Sequence, residues 1–523
     1  MKNLWIILFA MYGTSTLAFE TTHRDSFYSD GKRVLFNYNP DLVAVKSVPH
    51  IDPTNAFAAQ GISFVAAAHA EAVIGLPVRF PETNGSGIVT SRVLIRVNQG
   101  TQMTLVLENI KDVLNVDQKA YGQGVYTIKF ASVNAAIKGA KELFGKPGIV
   151  YAHPSFLLPI ETRSSPDSEP YFARQWHLEN TGQTGGTPGS DLNAKAAWQI
   201  TQGTNETLVA VIDVGFEQIH PDLNDAWFVN PRETPGNRID DDGNGLKDDV
   251  SGWNFAIGGA NLVYGANPAH GTSSSGIIAA RANGKGVTGI CPLCKVLPIV
   301  IDQDIENAVA GFLYAKSFNA KVISNSWGYQ IGTPRFDAVV DAINQTAAAG
   351  RSGKGTSIVF AMSNFDRNDC RQSGPDISSL ESVIAVSAVD HSDIKVEATA
   401  YGPCMEFVAP SSGSTSNAIG TTDRPAEKGY NRGENPADFP DLDFTHTFYG
   451  TSAATPQVSA VLALIYAVQP ELTSAEAFRI LRDSSDKIQP GLAAYDANGH
   501  SLKYGYGRIN AGRAVHAARL FSN

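Results

Sequence analysis

Three residues whose types together perform nucleophilic catalysis lie in separate segments of the chain. Asp213 ends the apolar run 209–212, His270 opens a segment of small residues, and Ser452 lies in Gly-Thr-Ser-Ala-Ala-Thr-Pro at 450–456. A serine hydroxyl is a weak nucleophile alone, so a histidine must take its proton and a carboxylate must hold that histidine in the correct tautomer. Asp, His and Ser in this chain order therefore predict a nucleophilic triad.

The three segments differ in how specifically they indicate catalysis. Asp-x-Gly after a strand is also the pattern of a turn or a cap, and His-Gly-Thr alone is only moderately specific. The segment around Ser452 is far more specific, because most positions around the hydroxyl match the pattern Gly-Thr-Ser-x-Ala-Thr-Pro. Ser452 lacks a Gly-x-Ser-x-Gly elbow and follows Asp and His in the chain, which argues against an α/β-hydrolase esterase.

An acidic segment at 239–249 is the second chemical signal. Its alternating oxygen-bearing residues and Gly245 match the first half of an EF-hand loop, and Ca²⁺ prefers about six to eight oxygen ligands. Ser251 stands where an EF-hand has its closing glutamate, so a later aspartate must complete the shell. A solvated acidic loop is the alternative. The candidate calcium ligands are Asp240, Asp242, Asn244, Asp248 and Asp249.

The elements that must position these residues are strands buried on both faces. The runs 209–212, 296–301, 322–323 and 358–361 are apolar without polar alternation. Such runs are typical of parallel strands covered by helices, and helical segments alternate with them. The sequence therefore predicts a large α/β domain, with limits at 166–523.

A smaller module precedes this domain. Strand-like runs at 93–97 and 125–130, an amphipathic helix at 133–144 and a further strand at 148–152 predict an α+β leader. The polar segment 161–170 contains turn residues and is predicted to be a linker. The leader is therefore expected to span 19–165.

The first 18 residues have the pattern of a secretory signal. Lys2 precedes an apolar run at 4–11, and small residues occupy the positions before a cut after Ala18. A buried N-terminal helix is the alternative. No later stretch reaches the ~20 apolar residues that span a bilayer. We therefore expect a secreted protein, extracellular or periplasmic, without a membrane span.

Composition excludes several other classes. The chain has 523 residues, 43% of them hydrophobic, and 41 basic against 51 acidic residues give a net charge of −10. With no basic run, this balance argues against nucleic acid as the main partner, and the composition excludes disorder and a coiled coil. Four cysteines, an even number in an oxidising compartment, predict two disulfides, with a zinc site as the alternative and the pairing left open. They are Cys291, Cys294, Cys370 and Cys404.

From about residue 170 to 517 the chain resembles subtilisin-like serine proteases, the subtilases. Beyond the three catalytic segments, the resemblance lies in Trp-His-Leu-Glu-Asn at 176–180, Ser-Trp-Gly at 326–328 and Tyr-Gly-Tyr-Gly-Arg-Ile-Asn-Ala at 504–511. It implies an α/β fold with a subtilisin-like seven-stranded parallel sheet flanked by helices, and hydrolysis of peptide bonds. The residues to which it assigns roles are Asp213, His270 and Ser452 as the triad, Asn364 as an oxyanion donor beside the Ser452 N–H, and Ser326, Trp327 and Gly328 as substrate contacts.

The resemblance also implies a second calcium site and a role for the leader. Asp222 matches a family calcium ligand, Asn283 lies on the family's calcium loop, and Glu169 is a further candidate ligand. A plain turn is the alternative. The leader resembles subtilase pro-regions most clearly at 93–159, which implies an inhibitory propeptide; a permanent domain is the alternative.

Departures from the family pattern limit what can be predicted about specificity. The segment Ser273–Ser275 replaces more apolar residues, and we expect these hydroxyls to bond the preceding helical turn. Cys370 and Cys404 resemble a kexin-type disulfide pair. Kexins, however, have acidic residues after Ser-Trp-Gly-Pro, whereas here Tyr329 directly follows Ser-Trp-Gly. Cleavage after paired basic residues is therefore not predicted.

The sequence as a whole predicts a secreted serine endopeptidase, stabilised by structural Ca²⁺ and made as a zymogen. It is expected to be a monomer that acts on protein or peptide substrates, with its own propeptide as intramolecular inhibitor. Two alternatives remain: a subtilase-fold binding protein, and an acyl transferase in which an amine replaces water.

Overall fold

The computed structural model describes residues 85–118, 124–157, 165–265, 267–330, 333–370 and 376–521, together with strands 23–29, 32–38, 42–46, 62–66 and 73–80. The predicted signal segment, 1–18, lies outside these residues. The chain divides into two compact units, 1–161 and 162–523. The boundary predicted from composition, 165/166, falls in the same polar segment.

The first unit is a mixed sheet with one long helix. Its elements are β1 His23–Ser29, β2 Lys32–Tyr38, β3 Leu42–Lys46, β4 Ile62–Ala66, β5 Val73–Phe80, β6 Gly85–Val97, α1 Met103–Val106, β7 Val113–Gln118, β8 Val125–Phe130, α2 Val133–Phe144 and β9 Ile149–Leu157. The long strand β6 pairs with β5, β8 and β9. Helix α2 begins after Ser132, whose Oγ accepts a hydrogen bond from the Ala135 N–H at 3.1 Å. Its apolar face packs on side chains of β6 and β8.

The second unit holds the predicted α/β domain. Its elements are α3 Ala194–Trp198, β10 Leu208–Asp213, β11 Trp253–Asn254, α4 Ala269–Ala279, β12 Lys295–Val300, α5 Ile305–Ser317, β13 Val322–Asn325, α6 Asp337–Gly353, β14 Ser357–Ala361, β15 Ile384–Val389, β16 Met405–Pro410, β17 Ile419–Thr422, β18 Phe444–Phe448, α7 Thr451–Val468, α8 Ser474–Ser484, α9 Pro490–Ala493 and α10 Ala511–Leu520.

The predicted seven-stranded parallel sheet is confirmed. Its strand order is β11-β12-β10-β13-β14-β15-β16, and every neighbouring pair is parallel. Every residue of β10, β13, β14 and β15 is buried, as expected for strands covered on both faces. Since β12 and β13 lie on opposite sides of β10, the carboxyl end of β10 is a topological switch point, where α/β sheets place their ligands. Asp213 lies there.

Helix α7 is the central helix of the core. Among the described residues it is the one helix long and apolar enough to span a membrane, and 83% of it is buried inside the protein. A helix that is apolar and buried to this extent is packed as a core helix. Its first turn carries Ser452, so the nucleophile predicted from sequence stands on a rigid element.

Candidate active site

Asp213 and His270 form a hydrogen-bonded pair at the carboxyl end of β10. His270 Nδ1 lies 2.8 Å from Oδ1 and 2.9 Å from Oδ2 of Asp213. Asp213 is fully buried. The Val214 N–H also donates to Oδ1, at 2.7 Å. With Nδ1 donating to the carboxylate, Nε2 is the ring nitrogen that can accept a proton.

The electrostatics of this pair favour the charged imidazole. Burial alone lowers the pKa of His270, but the charge and hydrogen bond of Asp213 outweigh it and raise that pKa above the ordinary 6.5. The imidazolium formed when the ring takes a proton is therefore stabilised in place.

The helix that carries His270 contributes one more contact. Ser274 Oγ donates to Asp213 Oδ2 at 3.5 Å, and Ser273 Oγ donates to the Thr422 carbonyl at 2.9 Å. Only Ser275 bonds the preceding turn, donating to the Gly271 carbonyl at 2.7 Å. The expectation that these hydroxyls bond the preceding turn therefore holds for Ser275, whereas the hydroxyls of Ser273 and Ser274 bond partners outside the helix.

Ser452 lies in the first turn of α7. Its Oγ donates to the Ser326 carbonyl at 3.3 Å, and Ser326 Oγ donates to the Ser452 carbonyl at 3.1 Å. Proton transfer to His270 therefore requires rotation of the hydroxyl away from Ser326. Catalytic hydrogen bonds of this kind commonly tighten only when substrate is bound.

Asn364 is held against the start of the same helix. Its Oδ1 accepts from the Thr451 N–H at 2.9 Å and from Thr451 Oγ1 at 3.1 Å. The amide nitrogen is therefore left to donate elsewhere. The Ser452 N–H lies in the first helical turn, where backbone donors lack an intrahelical acceptor. The Asn364 amide and the Ser452 N–H are therefore two donors at the start of α7, where the helix dipole favours negative charge.

One cavity of about 550 Å³ brings His270, Asn364 and Ser452 together. Aromatic and polar side chains from the segment between β17 and α7 supply most of the remaining wall. The other lining residues are Thr415, Tyr430, Asn431, Arg432, Glu434, Asn435, Asp438, Thr447, Phe448 and Tyr449. Sequence reasoning missed this wall, because the segment 423–443 carries no motif that points to it.

The predicted substrate contacts lie outside the lining of this cavity. Ser326 touches Ser452 through the two hydrogen bonds above, whereas Trp327 packs against Phe312 and Phe360 at centroid distances of 6.5 and 5.2 Å. Gly328 follows on the same segment. None of the three lines the 550 Å³ cavity.

The acidic segment forms a cluster that includes one unpredicted residue. Carboxylate oxygens of Glu233, Asp242 and Asp249 lie within 4.8 Å of one another. Asn244 Nδ2 donates to Asp249 Oδ2 at 2.9 Å. Asp240 accepts hydrogen bonds from the Gly243 and Gly245 N–H groups. Asp248 Oδ2 accepts from the Arg238 N–H at 2.9 Å, while its Oδ1 is buried without a partner.

The second predicted calcium site has two buried oxygens without partners. They are Asp222 Oδ1 and Glu169 Oε2. The other oxygen of each accepts a backbone N–H, from Val287 at 3.2 Å and from Gly284 at 2.9 Å. Asn283 Nδ2 donates to the Pro221 carbonyl at 3.2 Å. Burial raises the pKa of Asp222 well above its ordinary value, so a cation would relieve this desolvation. Oxygen-only donors suit calcium.

The structure pairs the cysteines as Cys291–Cys294 and Cys370–Cys404. Since all four are bonded, their sulfurs are not available to zinc.

Several known proteases are similar to this chain in fold or in sequence. A solved serine protease of Aeromonas sobria has a TM-score of 0.57 and 24% identity, covering 69% of this chain and 69% of that one, which shows the fold. A calcium-dependent protease of Nostoc sp. is 30% identical over 406 residues, 72% of this chain and 55% of the relative. One of Trichormus variabilis is 29% identical over 430 residues, 77% of this chain and 59% of the relative.

The chain therefore spans less than two thirds of the length of these two relatives. The sequence model of the subtilase family matches residues 204–507, which is more than half of the chain. The matched range includes Asp213, His270, Asn364 and Ser452. The chain belongs to the subtilase family.

Proposed function

We propose that the chain is a serine endopeptidase that hydrolyses peptide bonds of protein or peptide substrates. The observation that carries this proposal is the single cavity lined by His270, Asn364 and Ser452, with Asp213 behind the imidazole. A nucleophile, a base held by a carboxylate and two donors are the parts that acyl transfer needs.

The reaction follows from these positions. Ser452 Oγ attacks the substrate carbonyl while His270 Nε2 takes its proton, and Asp213 stabilises the imidazolium through Nδ1–H. The amide of Asn364 and the Ser452 N–H donate to the oxygen that becomes negative. His270 then returns the proton to the leaving amine, and a water, activated by the same imidazole, releases the acyl group.

Calcium is proposed as a structural cation at two sites. Glu233, Asp242 and Asp249 would hold one ion, and Asp222, Glu169 and Asn283 another. The close approach of the three carboxylates of the first set, of which Asp242 also pairs with Arg232 at 3.0 Å, and the unpartnered oxygens of the second set support this proposal. Calcium supplies charge neutralisation and loop closure there, and takes no part in the proton transfers above.

The leader is proposed as an inhibitory propeptide of an exported zymogen. Its separation as a compact unit and the polar segment 161–170 after it support cleavage between the units. The signal pattern at 1–18 and the two disulfides support export.

Intact mass of purified residues 19–523, compared with the Ser452→Ala variant in calcium, tests the central proposal. A shortened wild type beside a full-length variant is expected, because only the wild type can cut itself. If both stay full length and the wild type hydrolyses no peptide, the endopeptidase proposal fails. If both shorten alike, a contaminating protease is responsible and self-processing is refuted.

A further inference from the structure

Asp369 is a buried carboxylate that the triad does not use. It lies on the loop that follows β14, shortly after Asn364, and its side chain is 0% exposed. Burying a carboxylate is costly unless it is paired and hydrogen-bonded, so its partners show what it holds in place.

Both oxygens of Asp369 bind the residue directly before Asn364. Oδ2 accepts from the Ser363 N–H at 2.7 Å, and Oδ1 accepts from Ser363 Oγ at 3.0 Å. Arg367 supplies the positive charge, with Nε 2.6 Å from Asp369 Oδ1. The carboxylate therefore ties together the two ends of an exposed tip, residues 364–366.

The base of this tip is fixed by a neighbouring segment as well. The Ser363 carbonyl accepts from the Ala400 N–H at 2.9 Å, and the Asp369 N–H donates to the Tyr401 carbonyl at 3.2 Å. The next residue belongs to the Cys370–Cys404 disulfide. The Ser363–Asn364 peptide is thus held at its carbonyl oxygen, and Ser363 itself is also held at its N–H and its hydroxyl.

We propose that Asp369 is a positioning residue for the oxyanion donor Asn364, an inference that rests on the proposed peptidase function. Thr451 fixes the oxygen end of the Asn364 amide, and the Asp369–Ser363 bonds fix the backbone from which that amide projects. Donors aimed in advance at developing charge stabilise the transition state more than the bound substrate. Loss of the tie therefore lowers turnover and leaves substrate binding nearly unchanged.

Steady-state kinetics of the self-processed enzyme test this positioning role. We expect Asp369→Asn to lower kcat about tenfold or more, with KM within about threefold, since small misplacements of catalytic groups cost up to about 10² in rate. Asp191→Asn is the matched control. Asp191 is also buried and accepts two backbone N–H groups, each at 2.7 Å, but does not line the cavity. Its kcat is expected to equal that of the wild type.

A double-mutant cycle separates positioning from general loosening of the fold. In an Asn364→Ala background, Asp369→Asn is expected to change kcat less than about twofold, because the group it positions is gone. Equal falls in both backgrounds, an unchanged kcat in the single variant, or a similar fall in Asp191→Asn would each overturn the inference.

Two further outcomes, a variant that does not fold and an inactive wild type, can be distinguished from loss of positioning. If Asp369→Asn does not fold, Ser363→Ala, which removes the 3.0 Å bond and keeps the 2.7 Å bond, must show a smaller fall in kcat with the same non-additivity. Absence of that fall overturns the inference. A wild type that hydrolyses no peptide refutes the proposed function itself, before Asp369 is changed.

Discussion

At the scale of single residues, the contact between Asp213 and His270 decides the pH at which the triad acts. Because Asp213 raises the pKa of His270 above 6.5, the imidazole stays protonated, and unable to act as a base, to a higher pH than a free histidine. We expect kcat/KM to rise with pH through a midpoint above 6.5. A pH profile on a neutral peptide substrate measures it.

Asp213→Asn sharpens this test. The variant removes the charge that raises the pKa, so the midpoint should move to lower pH, and turnover should fall about 10⁴-fold because the imidazole tautomer is no longer fixed. A midpoint at or below 6.5 in the wild type, or an unchanged midpoint in the variant, would contradict the assignment of this pair.

Asn364 provides the second prediction at this scale. Asn364→Ala is expected to lower kcat about 10²–10³-fold with KM little changed, because the amide donates mainly to the developing oxyanion. Asn435→Ala is the control, since this asparagine lines the same cavity and its Oδ1 accepts from the Ala437 N–H at 3.0 Å. Its effect should fall on KM. A large rise in KM for Asn364→Ala would instead make Asn364 a substrate-binding residue.

Not every residue of the site could be predicted from the sequence. Asp213, His270 and Ser452 carry local patterns, so their segments were recognisable. Glu233 lies in no motif and joins the acidic cluster only through the fold. Asp369 precedes Cys370 of the kexin-like cysteine pair, but its contact with Ser363 is visible only in the fold. For Asp240 the assignment as a calcium ligand stays a prediction. Both of its oxygens accept loop N–H groups, as do both oxygens of Glu233, so these contacts do not decide between the two residues.

At the scale of elements, buried strands were the most predictable feature. Unbroken apolar runs mark β10, β12, β13 and β14, because a strand covered on both faces tolerates few polar residues. The strands before residue 85 were not predicted, since they show no comparable pattern. The role of the segment between β17 and β18 was also missed, because side chains at 430–438 line the cavity only after the pairing of these strands brings them there.

The turn before α7 yields a prediction about this element. Gly450 has φ +76°, and an added Cβ would lie 2.8 Å from Asn364 Oδ1. We expect Gly450→Ala to destabilise the protein by about 1–3 kcal/mol and to lower kcat, because it both strains the backbone and displaces Asn364. Gly353→Ala is the control: its φ is +89°, and nothing lies within 4 Å of its added Cβ. It should lose stability but keep kcat.

The acidic cluster of Glu233, Asp242 and Asp249 yields a second prediction at this scale, about calcium. Calcium at 100 times its dissociation constant should stabilise the fold by about 2.7 kcal/mol per site, and a chelator should remove this gain. Glu233→Gln should reduce the gain, measured as the rise of Tm with calcium. Asp241→Asn should not, because Asp241 lies in the same loop but binds the Thr234 N–H and Asn237 instead. Equal calcium responses in the two variants would exclude Glu233 as a ligand.

At the scale of the whole molecule, the zymogen proposal predicts the order of two events, cleavage between the units and hydrolysis of peptides. If the leader inhibits the enzyme, cleavage between the two units must precede peptide hydrolysis. We expect freshly folded wild type to show a lag, measured by following intact mass and hydrolysis in the same sample. A wild type that hydrolyses at its final rate while still full length would contradict inhibition by the leader.

The Ser452→Ala protein, given a trace of processed wild type, completes the comparison. Because the polar segment 161–170 is the expected cutting region, the variant should be shortened by the added enzyme and contribute no hydrolysis of its own. Its rate of shortening then measures how accessible the segment is to a second molecule. If the variant resists cutting while the wild type shortens at a rate independent of concentration, cleavage occurs within one chain. In that case the leader must reach the active site of its own molecule, as an intramolecular inhibitor requires.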